Sequence, residues 1–173
     1  MKQSTPKSQI VIHHSVSGNG QNGGTNGVYQ GFKNRTDVVA TAFVIGKNGE
    51  ITQLFSTDYW AYHLGITSQI LKDNNVHGVT NDMLNQQSIG IEIVNWGGLI
   101  KSNGQWYPAL SSGEDTKHYI ANTNVAPIQD VIEFKAPDYP YGFHGFFGFE
   151  KYNDLQLNSL RKIIYAITTA VQL

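Results

Sequence analysis

The chain contains no cysteine among its 173 residues. This absence excludes disulfide bonds, a cysteine nucleophile and cysteine ligands for a metal ion. It does not identify the compartment in which the protein works.

The chain also has little charge, with no excess of either sign. Charged residues make up 14% of the sequence, and 12 basic against 13 acidic residues leave a net charge of −1. This balance gives no electrostatic reason to expect binding to nucleic acid. No apolar run is long enough to span a bilayer. No apolar segment follows Lys2 and Lys7, as a signal peptide would require. We therefore expect no nucleic-acid partner and no membrane span.

The length suits one compact domain with a substantial core. We predict a loose lead-in at residues 1–8 and a single domain over residues 9–173. The segment 17–27 is rich in glycine and asparagine and predicts a flexible loop. Residues 109–150 are rich in proline, glycine and aromatic side chains, and we expect them to be irregular.

Short β-branched and apolar runs predict the strands of a sheet. Asn-Gly turns between two pairs of these runs predict hairpins. The predicted strands cover residues 9–13, 38–45, 51–55 and 89–94, followed by a hairpin centred on residues 102–104.

The last segment predicts the clearest helix. Asn153 can cap its start, with Gln156 three residues later. Apolar residues then recur at spacings of three and four, which indicates one buried face. These residues are Leu157, Leu160, Ile164, Ile167 and Val171. Together with the strands, this helix predicts an α/β fold in which helices flank a mixed β-sheet.

Two groups of polar residues lie on the predicted strands. His13 and His14 end the first strand, and their side chains must face opposite ways. They are either structural histidines or members of a site. Glu92 shares one face of its strand with Gly90 and Val94. It is either a solvated carboxylate on an edge strand or a buried site carboxylate with a raised pKa.

These polar residues belong to a series of five motifs that are spread over most of the chain. They are Ile10–Ser15, Phe43–Gln53, Tyr59–Gly65, Ser88–Asn95 and Phe149–Gln156. This series resembles the zinc-dependent N-acetylmuramoyl-L-alanine amidases of type 2, which include phage lysins and the peptidoglycan recognition proteins. The resemblance implies that the chain cleaves the bond between N-acetylmuramic acid and L-alanine in peptidoglycan. It also implies action at the cell wall by a secreted, periplasmic or phage-delivered protein.

The resemblance assigns roles to individual residues. His13 corresponds to the first zinc ligand, and Glu92 corresponds to the catalytic acid and base. The other matched positions are expected to bind substrate. They are His14, Trp60, His63 and Asn95.

The chain departs from the family pattern in two places. Some members carry a catalytic tyrosine on the second strand, where this chain has Thr41 or its neighbours. The remaining zinc ligands of the family follow the long helix, whereas this sequence ends at Leu173. We therefore expect a truncated form with an incomplete zinc site, and we do not expect His63 or His144 to replace the missing ligands.

Two other functions stay open at this point. The first is a peptidoglycan-binding module on the same fold without catalysis. The second is an unrelated α/β scaffold whose histidines are structural, which would make all five motif matches accidental. The sequence does not indicate an oligomeric state.

Overall fold

The fold is taken from a computed structural model, which describes residues 2–3, 6–16, 24–111, 118–120, 126–135, 137–143 and 145–171. The chain forms two compact units. The first unit holds the described residues of 1–13, 19–94 and 154–173, and the second holds those of 14–18 and 95–153. Strands and helices are numbered below in chain order through both units.

The first unit contains four helices and six strands among its described residues. In chain order they are β1 (Lys2–Gln3), β2 (Gln9–His14), α1 (Asn26–Lys33), β3 (Phe43–Ile45), β4 (Ile51–Gln53), β5 (Tyr59–Trp60), α2 (Ser68–Asp73), α3 (Asn81–Gln86), β6 (Ser88–Ile93) and α4 (Asp154–Val171). Only His14, the last residue of β2, belongs to the second unit.

A four-stranded mixed sheet is the framework of the first unit. Its strand order is β2-β6-β3-β4, and β1 pairs separately with β5. Strand β3 runs parallel to β6 and antiparallel to β4. The turn between β3 and β4 includes Gly49 at φ 79°, a conformation that glycine adopts without steric cost. The predicted α/β class and the hairpin are confirmed.

Helix α4 covers one face of this sheet. Ile89, Ile91 and Ile93 of β6 are at most 2% exposed, and they share a core cluster with Ile163 and Ile167 of α4. Side chains alternate along a strand, so Ser88, Gly90 and Glu92 point to the opposite face. The sheet therefore separates its apolar core from a second face that carries polar side chains.

The position of α4 is confirmed, and so are Leu160 and Ile167 of its predicted apolar face, but the prediction of Leu157 and Ile164 as buried residues is wrong. The helix begins at Asp154, directly after Asn153. Ile163 is 5% exposed, whereas Leu157 is 36% exposed and Ile164 is only half-buried. Two polar residues, Gln156 and Ser159, lie in the buried face because each has a hydrogen-bond partner there. Gln156 Nε2 donates to the Val94 carbonyl at 2.8 Å, and Ser159 Oγ donates to the Gly49 carbonyl at 2.6 Å. Counting apolar residues alone misses this face.

Two strand predictions also need correction. The strand predicted over 38–45 begins only at Phe43, and Val39 makes an isolated bridge to Tyr62 instead. The hypothesis that Glu92 lies on an edge strand is wrong, since β6 lies between β2 and β3. Glu92 is therefore held inside the sheet, and only 9% of it is exposed.

The second unit contains strands β7 (Gly98–Ser102), β8 (Gln105–Ser111), β9 (His118–Ile120), β10 (Val131–Glu133) and β11 (Gly148–Glu150). They form one sheet with strand order β10-β11-β7-β8-β9. Asn103 and Gly104, both at positive φ, form the predicted hairpin turn between the first two strands. Three strands lie in the segment that we expected to be irregular, so that expectation is wrong for them.

No helix in the described ranges combines the length and the hydropathy that a bilayer crossing requires. Most of the predicted loop at 17–27 lies outside the described residues, which resume at Gly24. His144 and the last two residues of the chain also lie outside them.

Candidate active site

Two of the predicted site residues, His13 and His63, contact each other in the first unit. His13 lies near the end of β2, and His63 lies in the loop that follows β5. His13 Nε2 and His63 Nδ1 are 3.0 Å apart, which is hydrogen-bonding distance. The two rings meet edge to face, with 87° between their planes. We call these two residues the histidine pair.

His63 is held by two polar residues that follow it in the chain. Asn85, which is fully buried, accepts hydrogen bonds through Oδ1 from the backbone N–H groups of His63 at 2.8 Å and of Leu64 at 3.2 Å. Ser88 is the first residue of β6, and its Oγ lies 2.7 Å from the ring nitrogen Nε2 of His63. Backbone and ring of His63 are thus both restrained by neighbouring side chains.

The histidine pair lies on the sheet face opposite α4. A Cβ placed on Gly90 would come within 3.0 Å of His63 Nδ1 and of Thr41 Cγ2. This contact shows that the His63 ring lies directly over Gly90, where a larger residue would collide with it. Thr41, aligned with the tyrosine of some family members, is 1% exposed and donates its hydroxyl to the Phe43 carbonyl at 3.1 Å.

Glu92 lies on the same face of β6, two residues beyond Gly90. Burial raises the pKa of its carboxyl from 4.5 to about 7, because the apolar surroundings disfavour the charged form. At neutral pH the carboxyl is therefore close to equally protonated and ionised. A group in this condition can both accept and donate a proton, as a general acid and base must.

The electrostatics of His63 favour the neutral ring. Burial, followed by the nearby charges of His13 and Lys7, lowers the pKa of His63 from 6.5 to about 4. Lys7 is itself 7% exposed and donates from Nζ to the Gln86 carbonyl at 2.7 Å. Burial lowers the pKa of Lys7, and the charge of Asp58 opposes this effect.

The other predicted substrate-binding residues have different surroundings. Trp60 is 4% exposed and meets Tyr62 edge to face, with ring centroids 5.3 Å apart. His14 and Asn95 belong to the second unit, where the His14 ring lies against Gly97. Asn95 is 2% exposed and accepts a hydrogen bond from the Gly97 N–H at 2.7 Å. Their roles in substrate binding stay predictions.

Sequence reasoning did not identify Ser88 and Asn85 as members of this arrangement. Ser88 could have been found, because it stands two residues before Gly90 and four before Glu92 on a strand of period two. No local pattern marks Asn85. Its importance depends on the loop at residues 63–64, which only the folded chain brings to it.

A metal ion needs more ligands than the histidine pair supplies. A catalytic zinc site commonly has three protein ligands. Within the part of the chain that the structure describes, no three His, Cys, Asp or Glu side chains come together in a group that could hold a metal ion. The described residues therefore do not by themselves fit the three-ligand zinc site that the resemblance implies.

Comparison with known proteins agrees with the motifs. The profile of the N-acetylmuramoyl-L-alanine amidase family matches residues 3–173. No curated protein sequence matches the chain. Among solved structures, the chain is similar to the N-acetylmuramyl-L-alanine amidase AmiD from E. coli, determined in complex with the substrate anhydro-N-acetylmuramic acid-L-Ala-D-gamma-Glu-L-Lys. The TM-score is 0.53 at 18% identity, and the match covers 98% of this chain and 46% of AmiD. This similarity supports the fold, and the chain spans just under half of the AmiD structure.

Proposed function

Because the chain belongs to the N-acetylmuramoyl-L-alanine amidase family, we propose that it is a peptidoglycan hydrolase that cleaves the amide bond between N-acetylmuramic acid and L-alanine. The observation that carries this proposal is Glu92, a buried carboxyl with a pKa of about 7 on the face that holds the histidine pair. Such a carboxyl costs folding free energy, so a structural role alone does not account for it.

The ionised form of Glu92 would act first, as a general base. It takes one proton from a water molecule while the water oxygen bonds to the carbonyl carbon of the lactyl–alanine amide. The resulting tetrahedral intermediate then loses its C–N bond. The protonated Glu92 returns the proton to the alanine nitrogen, which leaves as the amine, and the lactyl carboxylic acid of the muramic acid is formed. At neutral pH this acid then passes its proton to the released amine, which gives the carboxylate and the ammonium group. A pKa near the working pH suits both transfers.

We further propose that the partner of this chain is a muramyl peptide within peptidoglycan. The substrate bound to AmiD, whose fold this chain shares, supports that choice. The predicted substrate residues His14, Trp60, His63 and Asn95 are the positions at which to test it. With a substrate in the cell wall, we propose that the protein acts there.

We also propose that His13 binds zinc. The family and the position of His13 at the strand end support this proposal. We assign no catalytic step to the metal, since the described residues supply no group of three ligands. Elemental analysis of the purified chain and of His13→Ala tests this proposal. About one zinc per chain, lost in the variant, supports it, and no zinc in the wild-type chain counts against it.

The test of the activity is cleavage of a muramyl peptide, followed by mass spectrometry of the released stem peptide. We expect a product with a free L-alanine amino group from the wild-type chain and none above background from Glu92→Gln. Glu50→Gln is the matched control, since it removes the same charge at an exposed turn residue of the same unit. Equal cleavage by wild type and Glu92→Gln would overturn the role of Glu92.

A non-catalytic peptidoglycan-binding module is the second candidate. The described residues favour this candidate, because no three of their His, Cys, Asp or Glu side chains form a group that could hold the zinc ion of the family. This alternative predicts that the wild-type chain sediments with purified peptidoglycan while releasing no peptide. Cleavage by the wild-type chain excludes it.

A further inference from the structure

The segment at residues 7–9 holds the C-terminal end of α3. The last carbonyl groups of a helix have no donor within the helix itself. Lys7 Nζ donates to the Gln86 carbonyl at 2.7 Å, and Gln9 Nε2 donates to the Leu84 carbonyl at 3.1 Å. The backbone of the same segment adds two hydrogen bonds, of 2.9 and 3.2 Å, to the carbonyl of the residue that follows the helix. This end of α3 is therefore fixed by partners that are distant in the chain.

Asn85 connects this end of α3 to His63. It directly precedes the residue that Lys7 binds, and it is fully buried. Its Nδ2 donates to the Asn81 carbonyl at 2.7 Å, which fixes the side chain against its own helix. Its Oδ1 accepts hydrogen bonds from the backbone N–H groups of His63 and Leu64. A shift of the helix end would therefore move the acceptor that places these two residues.

The N-terminal region is also attached to the chain just before His63. Strand β1 pairs antiparallel with β5, so that Lys2 lies opposite Trp60 and Gln3 lies opposite Tyr59. His63 lies in the loop that follows β5. Strand β1 thus holds the strand that leads into this loop, and residues 7–9 hold the helix to which the loop is hydrogen-bonded.

Lys7 brings a buried charge to these contacts. It is 7% exposed, and a buried ammonium group costs folding free energy unless a partner satisfies it. The Gln86 carbonyl is such a partner, and a positive charge is favourable at the C-terminal end of a helix. We propose that Lys7 is a positioning residue, which fixes the end of α3 and, through Asn85, the backbone of the predicted substrate-binding residue His63.

This inference deepens the proposed function and rests on it only for the effect of Lys7 on substrate binding. The position of residues 63–64 can be measured in the full chain without substrate. Failure of the inference is therefore distinguishable from failure of the amidase proposal.

Proton–nitrogen NMR of the backbone amides tests the positioning. Lys7→Met keeps a long side chain but cannot donate to the Gln86 carbonyl. Because the signal of an amide proton moves upfield as its hydrogen bond lengthens, we expect upfield shifts of the His63 and Leu64 amide protons in this variant. The amides of Ala42 and Val94, which donate to sheet carbonyls of the same unit at 2.9 Å, should keep their positions.

Three further variants separate the contributions. Lys7→Arg keeps a charged donor and should bring both amide signals back towards their wild-type positions. Gln9→Met removes a neighbouring bond to the same helix end without changing any charge, so it should shift the same signals and keeps the test decisive if Lys7→Met does not fold. Lys72→Met is the matched control, because Lys72 is an exposed lysine in the last turn of α2, and it should change nothing.

Kinetics of muramyl peptide cleavage distinguish positioning from stabilisation. At temperatures well below unfolding, a residue that only stabilises the fold leaves KM unchanged. We expect Lys7→Met to raise KM about 2- to 10-fold, the factor that corresponds to one hydrogen bond, with kcat unchanged because Glu92 keeps its place. Lys7→Arg should recover most of this loss.

Two results would overturn the inference. One is a Lys7→Met chain whose His63 and Leu64 amide signals stay at their wild-type positions. The other is an unchanged KM in a variant that unfolds at a lower temperature, which would leave Lys7 with a stabilising role alone. If the expected shifts occur but the wild-type chain cleaves no muramyl peptide, the positioning stands and the amidase proposal is refuted.

Discussion

Glu92→Gln is expected to make the stability of the first unit less sensitive to pH. Glutamine has nearly the shape of glutamic acid but cannot ionise. Glu92 is 9% exposed, and burial raises the pKa of its carboxyl from 4.5 to about 7 in the folded chain. The variant removes this ionisation and leaves the surrounding strands in place.

The sign follows from proton binding. Between about pH 4.5 and 7 the unfolded chain loses the Glu92 proton while the folded chain keeps it. The folded state then binds more protons, so the free energy of unfolding falls as pH rises through this window. A difference from 4.5 to about 7 corresponds to roughly 3 kcal/mol, at about 1.4 kcal/mol per pH unit. Relative to wild type, Glu92→Gln should therefore gain about 3 kcal/mol between pH 4.5 and pH 8.

Urea unfolding at pH 4.5, 6 and 8 measures this difference. Trp60, 4% exposed in the same unit, reports unfolding by its fluorescence. Burying the glutamine amide has a free-energy cost that does not depend on pH. This cost cancels when the stability difference between the two chains at one pH is compared with that at another. Contributions from His63 also cancel, because both chains carry it. Glu50→Gln, at an exposed turn, controls for loss of a carboxylate and should change stability by less than about 0.5 kcal/mol.

One result would refute the reasoning. If the difference between wild type and Glu92→Gln were the same at all three pH values, Glu92 would ionise equally in the folded and unfolded chains. Burial would then not disfavour its charge, and the argument for a proton-transferring carboxyl at neutral pH would lose its basis.

Other perturbations test the packing and the site. Ile163→Ala should cost about 2–5 kcal/mol in thermal unfolding, while Ile164→Ala should cost clearly less; the reverse order would contradict the observed helix face. Gly90→Ala should displace the His63 ring, which a change in the chemical shifts of the His63 ring in NMR would reveal; unchanged shifts would show that the ring is not over Gly90. Asn85→Ala should cost about 2 kcal/mol or more, because it leaves the His63 and Leu64 N–H groups without their acceptor, and urea unfolding measures the loss.

Much of the fold followed from periodicity because burial imposes it directly. The strand at Ser88–Ile93 and the two Asn-Gly hairpins stand where the pattern placed them. The helix face was misplaced where polar residues are buried with partners, as Gln156 is against the Val94 carbonyl. The strands after residue 109 were missed because their pairing is with distant segments, such as Gly148 opposite Leu99.

The sequence by itself determined the family, the α/β class and the candidates His13 and Glu92, since strand alternation and motif order are local properties of the chain. Only the tertiary structure decided how deeply those side chains are buried and which residues they contact. Glu92 has a raised pKa because its strand is enclosed between two others. His13 meets His63, fifty positions away, because the sheet and the loop after β5 converge on one face. Burial and contact are properties of the assembled chain, so the raised pKa of Glu92 and the contact between His13 and His63 cannot be read from motif order alone.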